Sequence, residues 1–132
     1  MVGIVYPSVN RVIELNVLAV TIIRAKRGDK AHVLSHAKIE QVLEETEATN
    51  GDVYDKAVIL LNGLIQKHPF ASGNRRTAML SVKEFLLNNK MRLGIADDPA
   101  QAKVLQGIRE KYYKHEEIKE WLHHGIIREF RR

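Results

Sequence analysis

The chain has 132 residues, a length that suits one domain with a full core. It has no cysteine, which excludes a disulfide framework, a thiolate nucleophile and a cysteine-based zinc site. The net charge of +5 and isoelectric point of about 9.6 suit anionic partners, yet acidic residues interleave with the basic ones as on solvated helix faces.

The first seven residues have no basic start, and Pro7 interrupts them, so no signal peptide is expected. The apolar run at residues 15–23 is too short to span a bilayer and contains Asn16 and Thr21. A cytoplasmic protein with no membrane partner is the expectation.

Ser8 is placed to cap a first helix. The apolar positions Val9, Val12, Ile13, Leu15, Val17, Leu18, Val20, Ile22 and Ile23 follow it. They are too many for one surface stripe and predict a largely buried helix, with a strand as the alternative because so many are β-branched. Residues 24–30 read as a basic turn broken by Gly28-Asp29. Ser35 caps a second helix through about Ala48, with Ile39, Val42 and Leu43 on one face. Asn50-Gly51 stops it, and Asp52 caps a third helix carrying Val53, Ala57, Leu60, Leu61, Leu64 and Ile65. That helix must end at His68, because Pro69 disfavours helical geometry at the residue before it.

A fourth helix starts near Gly73 or Asn74 and runs to about Asn89. Ala78, Val82, Phe85 and Leu86 form its apolar face, with Met79 and Leu87 at the edge. Residues 91–95 form a short linker. Asp98-Pro99 is a helix start, an N-cap followed by proline at the first helical position. The fifth helix carries Ala102, Leu105, Ile108 and Tyr112 inward. The sixth covers roughly residues 116–129, with Ile118, Trp121, Leu122 and Ile126 inward and Gly125 weakening its middle. The expected fold is all-α, a compact bundle of about six helices in which the loop after the third leads into a central helix.

The chemistry concentrates at residues 68–78, read His-Pro-Phe-Ala-Ser-Gly-Asn-Arg-Arg-Thr-Ala. Imidazole is the usual base near neutral pH, and His68 could take a proton from a hydroxyl. One histidine at such a place is most simply a surface or packing residue, and Phe70 a core anchor for the loop. Gly73-Asn74 ahead of a helix lets backbone N–H groups converge on an anion. Arg75 and Arg76 add two guanidiniums. Cations early in a helix oppose its dipole, so two of them there call for an anionic partner. A base beside an anion cradle is far rarer than either alone, and it suits transfer of a phosphate-containing group to a hydroxyl.

This stretch resembles the signature of the Fic/Doc family, His-x-Phe-x-(Asp/Glu)-(Gly/Ala)-Asn-(Gly/Lys)-Arg. His68, Phe70, Gly73, Asn74 and Arg76 match it, and Thr77-Ala78 is similar to the death-on-curing (Doc) branch. Residues 52–65 resemble the helix that leads into the motif. Residues 6–18 and 38–43 resemble two earlier family segments more loosely. The resemblance implies a single Fic/Doc-like domain over residues 1–132. It implies that His68 is the base for a target hydroxyl and that Gly73 and Asn74 form an anion hole. It also implies that Arg75 and Arg76 contact the phosphates of ATP or another nucleoside triphosphate.

Fic members transfer AMP. Doc, with lysine after the asparagine, is associated with phosphoryl transfer to elongation factor Tu. Arg75 is bulky and cationic like that lysine, and Met79 stands where the AMP-transferring pattern has a second arginine. Both features imply a Doc-like toxin kinase acting on a protein target, a translation elongation factor by analogy. No inhibitory Ser/Thr-x-x-x-Glu element lies in the chain, so a separate antitoxin protein is expected as partner.

Ser72 departs from the pattern. It occupies the acidic position that would hold Mg²⁺, and a neutral hydroxyl supplies no charge to keep the metal. AMP transfer and a catalytically silent nucleotide- or partner-binding module are the alternatives this raises. A basic RNA-binding protein ranks last, because no aromatic residues interleave with the basic ones.

Overall fold

The computed structural model describes residues 3–27 and 30–131, with the backbone alone for 23–27. Six helices follow one another: α1 (Val9–Arg27), α2 (His36–Ala48), α3 (Val53–Lys67), α4 (Asn74–Asn88), α5 (Ala100–Arg109) and α6 (His115–His124). The fold is the expected all-α bundle, and among the described residues extended pairing is confined to one isolated bridge between Val33 and Phe70. None of its helices is long and apolar enough to cross a membrane, among the described residues.

α3 is the hub. It packs against α2, α4, α5 and α6, while α1 lies across α4 and α2. The reason is its composition: Ala57, Val58, Leu60, Leu61 and Leu64 are almost fully buried and surround the helix rather than forming a stripe. Its start is secured by a capping box. Asp52 accepts from the Asp55 N–H at 3.0 Å, and Asp55 accepts from the Asp52 N–H at 3.0 Å. Ser35 caps α2 through the Lys38 N–H, and Ser8 caps α1 through the Arg11 N–H.

Several expectations need correction. α1 is not largely buried. Val12, Leu15, Asn16, Ala19 and Val20 face inward, but Val17, Leu18 and Ile22 are 47%, 52% and 54% exposed, because only one face of α1 meets α4 and α2. The side chain of Ile23 lies outside the described residues. α1 also continues through Arg27 where a turn was expected from Arg24, in keeping with the helix propensity of arginine, alanine and lysine. Gly28-Asp29 fall outside the described residues.

α5 stops at Arg109, so Tyr112 lies beyond it, and Ala102 is exposed. Its inward face is Val104, Leu105, Gly107 and Ile108. A Cβ at Gly107 would stand 2.6 Å from the Tyr113 ring, so the missing side chain lets the C-terminal segment pack closely. Pro99 rather than Asp98 is the N-cap of α5 and Ala100 its first residue, although the Asp98 carboxylate accepts from the Ala100 N–H at 2.7 Å. Gly125 ends α6 rather than weakening its middle. It adopts φ 72°, a left-handed cap that glycine takes without strain, and Ile126 beyond it is 65% exposed.

Two charged groups do structural work. Lys56 is buried, and its Nζ donates to the carbonyls of Glu47 at 3.0 Å and Thr49 at 2.6 Å, neutralising the C-terminal end of α2. Asp55 ties the start of α3 to α6 through His115 Nε2 at 2.9 Å and Lys119 Nζ at 3.1 Å. Both bonds favour the ionised carboxylate, that from His115 most, and hold its pKa well below the ordinary 3.8. Asp55, His115 and Glu116 bring donor atoms within 4.8 Å of one another, but the Lys119 ammonium already supplies the cation there.

Candidate active site

The loop between α3 and α4 is shaped by three local constraints. His68 takes the left-handed conformation, φ 50° and ψ 58°, and turns the chain out of α3. Phe70 is fully buried and pins the loop to the core, as expected. Gly73 is the N-cap of α4 at φ 76°, where a side chain would be strained and would also press on Val20 at 3.2 Å.

Asn74 is buried and closes the turn. Its Oδ1 accepts from the Phe70 N–H at 3.0 Å, and its Nδ2 donates to the Phe70 carbonyl at 2.8 Å. The same Nδ2 lies 3.1 Å from His68 Nδ1. Asn74 was expected in an anion hole. Its side chain is committed to the loop and to His68, which leaves the backbone N–H groups of the segment as the part that expectation concerns.

No side chain caps α4. The Thr77 N–H is bonded to the Gly73 carbonyl at 2.8 Å, and the N–H groups of residues 74–76 precede the first acceptor that the helix itself can offer. Such an end concentrates partial positive charge. Arg75 and Arg76 sit on it, exposed, and neither pairs with a carboxylate among the described residues. Lys83, three turns along the helix, is likewise unpaired and exposed. By contrast Arg11 is held by Glu84 at 2.7 Å and Arg128 by Glu117, so ion pairing is common elsewhere on this surface.

These groups share one cleft of about 1020 Å³. His68 and residues 71–76 line it together with Met79 and Lys83 of α4 and with Ile95, Asp97, Asp98 and Leu105. The expected site residues His68, Ser72, Gly73, Asn74, Arg75 and Arg76 all line it, while Phe70 supports it from the core. Leu93 and Ile95 of the lining flank Gly94, which is fixed to α6: the Gly94 N–H donates to the Leu122 carbonyl at 2.8 Å, and any Cβ on Gly94 would collide with the His123 carbonyl.

The fit for a metal is poor at the motif position. Ser72 offers a hydroxyl without charge, and its carbonyl is already bonded to Asn16. The carboxylates that line the cleft are Asp97 and Asp98, and Asp98 accepts from the Ala100 N–H at the start of α5.

One support was invisible in sequence. Asn16 reads there as polar punctuation in an apolar helix. It is buried, and its Nδ2 donates to the Ser72 carbonyl at 2.9 Å and to Thr77 Oγ1 at 3.0 Å. A polar residue inside the most apolar run of the chain is the signal that could have marked it. The segment at residues 32–35, between α1 and α2, also meets the loop. The Leu34 N–H donates to the Pro69 carbonyl at 2.8 Å and the Ala71 N–H to the His32 carbonyl at 2.9 Å.

No curated protein matches the sequence. The family model described as Fic/DOC family matches residues 14–86, more than half of the chain, from within α1 to the inner face of α4. With the motif loop at the centre of that match, the chain belongs to the Fic/DOC family.

Proposed function

We propose that this chain is a Doc-like protein kinase that moves the γ-phosphoryl group of a nucleoside triphosphate to a hydroxyl of a protein target. The family binds nucleoside triphosphates and modifies protein targets. The observation that carries the finer reading is the charge arrangement of the cleft. Among the described residues Arg75 and Arg76 stand unpaired at an uncapped helix N-terminus and Lys83 stands unpaired further along α4, all lining one cleft that also holds His68. In this reading the target oxygen attacks the γ-phosphorus and His68 takes its proton. The bond from that phosphorus to the β–γ bridging oxygen breaks, and the nucleoside diphosphate leaves. Arg75, Arg76 and the N–H groups at the start of α4 offset the negative charge of the transferring group. A bound Mg²⁺, where present, would add charge neutralisation of the phosphates, with Ser72 offering a neutral ligand at most.

The target is proposed to be a translation elongation factor, and the restraining partner a separate antitoxin protein. The protein is proposed to act in the cytoplasm as a single domain. Two features favour phosphoryl over AMP transfer: Arg75 in place of glycine, and Met79, buried, where a second phosphate-binding arginine would stand. The test is incubation with purified elongation factor and ATP labelled at either the α or the γ position. Label from the γ position, lost in His68→Ala, supports the kinase reading; label from the α position alone replaces it with AMP transfer.

Ser72 favours a second reading, a nucleotide-binding module without turnover. It expects calorimetric binding of ATP, no label transfer from either position, and gain of transfer in Ser72→Asp.

A further inference from the structure

The contacts of Asn74 decide which nitrogen of His68 carries the proton. The two ends of an amide are told apart by what they face. Here Oδ1 lies 3.0 Å from the Phe70 N–H, and Nδ2 lies 2.8 Å from the Phe70 carbonyl. Reversing the amide would set its NH₂ against an N–H and its oxygen against a C=O, losing both bonds in a buried place where unmet polar groups are costly. The amide orientation is therefore determined by the backbone. Its Nδ2 has a second hydrogen, and His68 Nδ1 lies 3.1 Å away. An amide nitrogen donates and does not accept, so Nδ1 must be the acceptor. A neutral imidazole that accepts at Nδ1 carries its proton on Nε2.

We propose that Asn74 is a positioning residue that latches neutral His68 as the Nε2–H tautomer in the unliganded protein. The one amide thus shapes the Phe70 turn and sets the protonation pattern of the ring. The resting ring offers the cleft a donor, suited to a phosphate oxygen, while its lone pair is covered by Asn74.

A further consequence rests on the kinase reading above. For His68 to act as base, the target hydroxyl must give its proton to Nδ1. The hydroxyl oxygen keeps the bonding electrons for its new bond to phosphorus, and the ring becomes imidazolium with N–H on both nitrogens. The Asn74 amide must withdraw first, because it cannot face a second N–H. The base is thereby held in reserve until the target arrives.

The tautomer can be read without nucleotide or target, so its outcome is separate from whether the protein is a kinase. Protein labelled with ¹⁵N-histidine is examined by long-range ¹H–¹⁵N correlation at a pH where the rings are neutral. The His68 signals are identified by their absence from His68→Gln. The expected result is an unprotonated-type shift for Nδ1 and a protonated-type shift for Nε2. A protonated Nδ1, or shifts averaged between the two forms as in free imidazole, would overturn the proposal. Asn74→Asp places an acceptor at the same site and is expected to reverse the pattern. A folded Asn74→Asp protein with the wild-type pattern would remove Asn74 as the cause. If that variant does not fold, the wild-type spectrum alone decides.

Discussion

Asn16 of α1 and Ser72 of the motif loop are joined by a hydrogen bond of 2.9 Å that spans 56 positions of sequence. The same amide reaches Thr77 Oγ1 in the first turn of α4. Asn16 thus ties both sides of Gly73, the left-handed residue from which α4 starts. A backbone turned this way keeps its aim only if its flanks are held. Replacing Asn16 by leucine leaves the Ser72 carbonyl and the Thr77 hydroxyl without this donor, at a cost of ~1–3 kcal/mol in stability. Urea unfolding should show that loss, and ATP affinity should fall with it. An unchanged ATP affinity in a destabilised Asn16→Leu protein would mean that Asn16 supports the fold but not the site.

Ser81 is expected to behave in the opposite sense. Its Oγ is buried in α4 and has no hydrogen-bond partner among the described residues. Removing an unmet hydroxyl removes its desolvation penalty, so Ser81→Ala should raise stability by roughly 1 kcal/mol. Thermal unfolding checks this, with a higher midpoint expected and unchanged nucleotide binding.

Asp55 gives the fold an acid-sensitive joint. Hydrogen bonds from His115 and then Lys119 depress its pKa below the ordinary 3.8. The unfolded chain binds that proton more readily, so the stabilisation is fully present above the ordinary carboxylate range and is lost as pH falls toward the depressed folded value. Asp55→Asn also loses the charge at the capping box, and should cost about 1 kcal/mol at neutral pH. Urea midpoints for the two proteins should stay apart from pH 7 down to about pH 4 and draw together only as the pH falls further toward the depressed folded value. Parallel curves would show that the Asp55 contacts to α6 contribute nothing specific to the charged form.

Ser72 should respond to restoring an acid. Ser72→Asp places a carboxylate where the cleft has only a hydroxyl, and should strengthen Mg²⁺-dependent ATP binding by about tenfold, the ratio given by ~1.4 kcal/mol. Calorimetry with and without Mg²⁺ measures it. Equal affinity in both conditions would show that position 72 does not reach the phosphates.

Much of this arrangement was legible from single residues with one physical meaning. Ser35 and Asp52 cap the helices they were expected to cap, and Pro69 forces the end of α3. The motif residues collect in one cleft because the loop joins directly onto α4. What was not legible depends on packing between distant segments. The apolar run of α1 could not reveal that Val17, Leu18 and Ile22 would have no neighbouring element to cover them. Lys56 looks in sequence like any solvated lysine, and only the fold brings the end of α2 over its ammonium. Gly125 reads in sequence as a weak point inside a longer helix, whereas in the fold it ends α6 where the chain meets Gly94.

The central claim is that the cleft transfers the γ-phosphoryl group, and differential labelling tests it most directly. Elongation factor is incubated with the protein and either γ- or α-labelled ATP, alongside His68→Ala and Arg76→Ala. The account predicts label on the factor from γ-labelled ATP only, abolished by His68→Ala and strongly reduced by Arg76→Ala. Label from α-labelled ATP, or γ-label that survives His68→Ala, would contradict it.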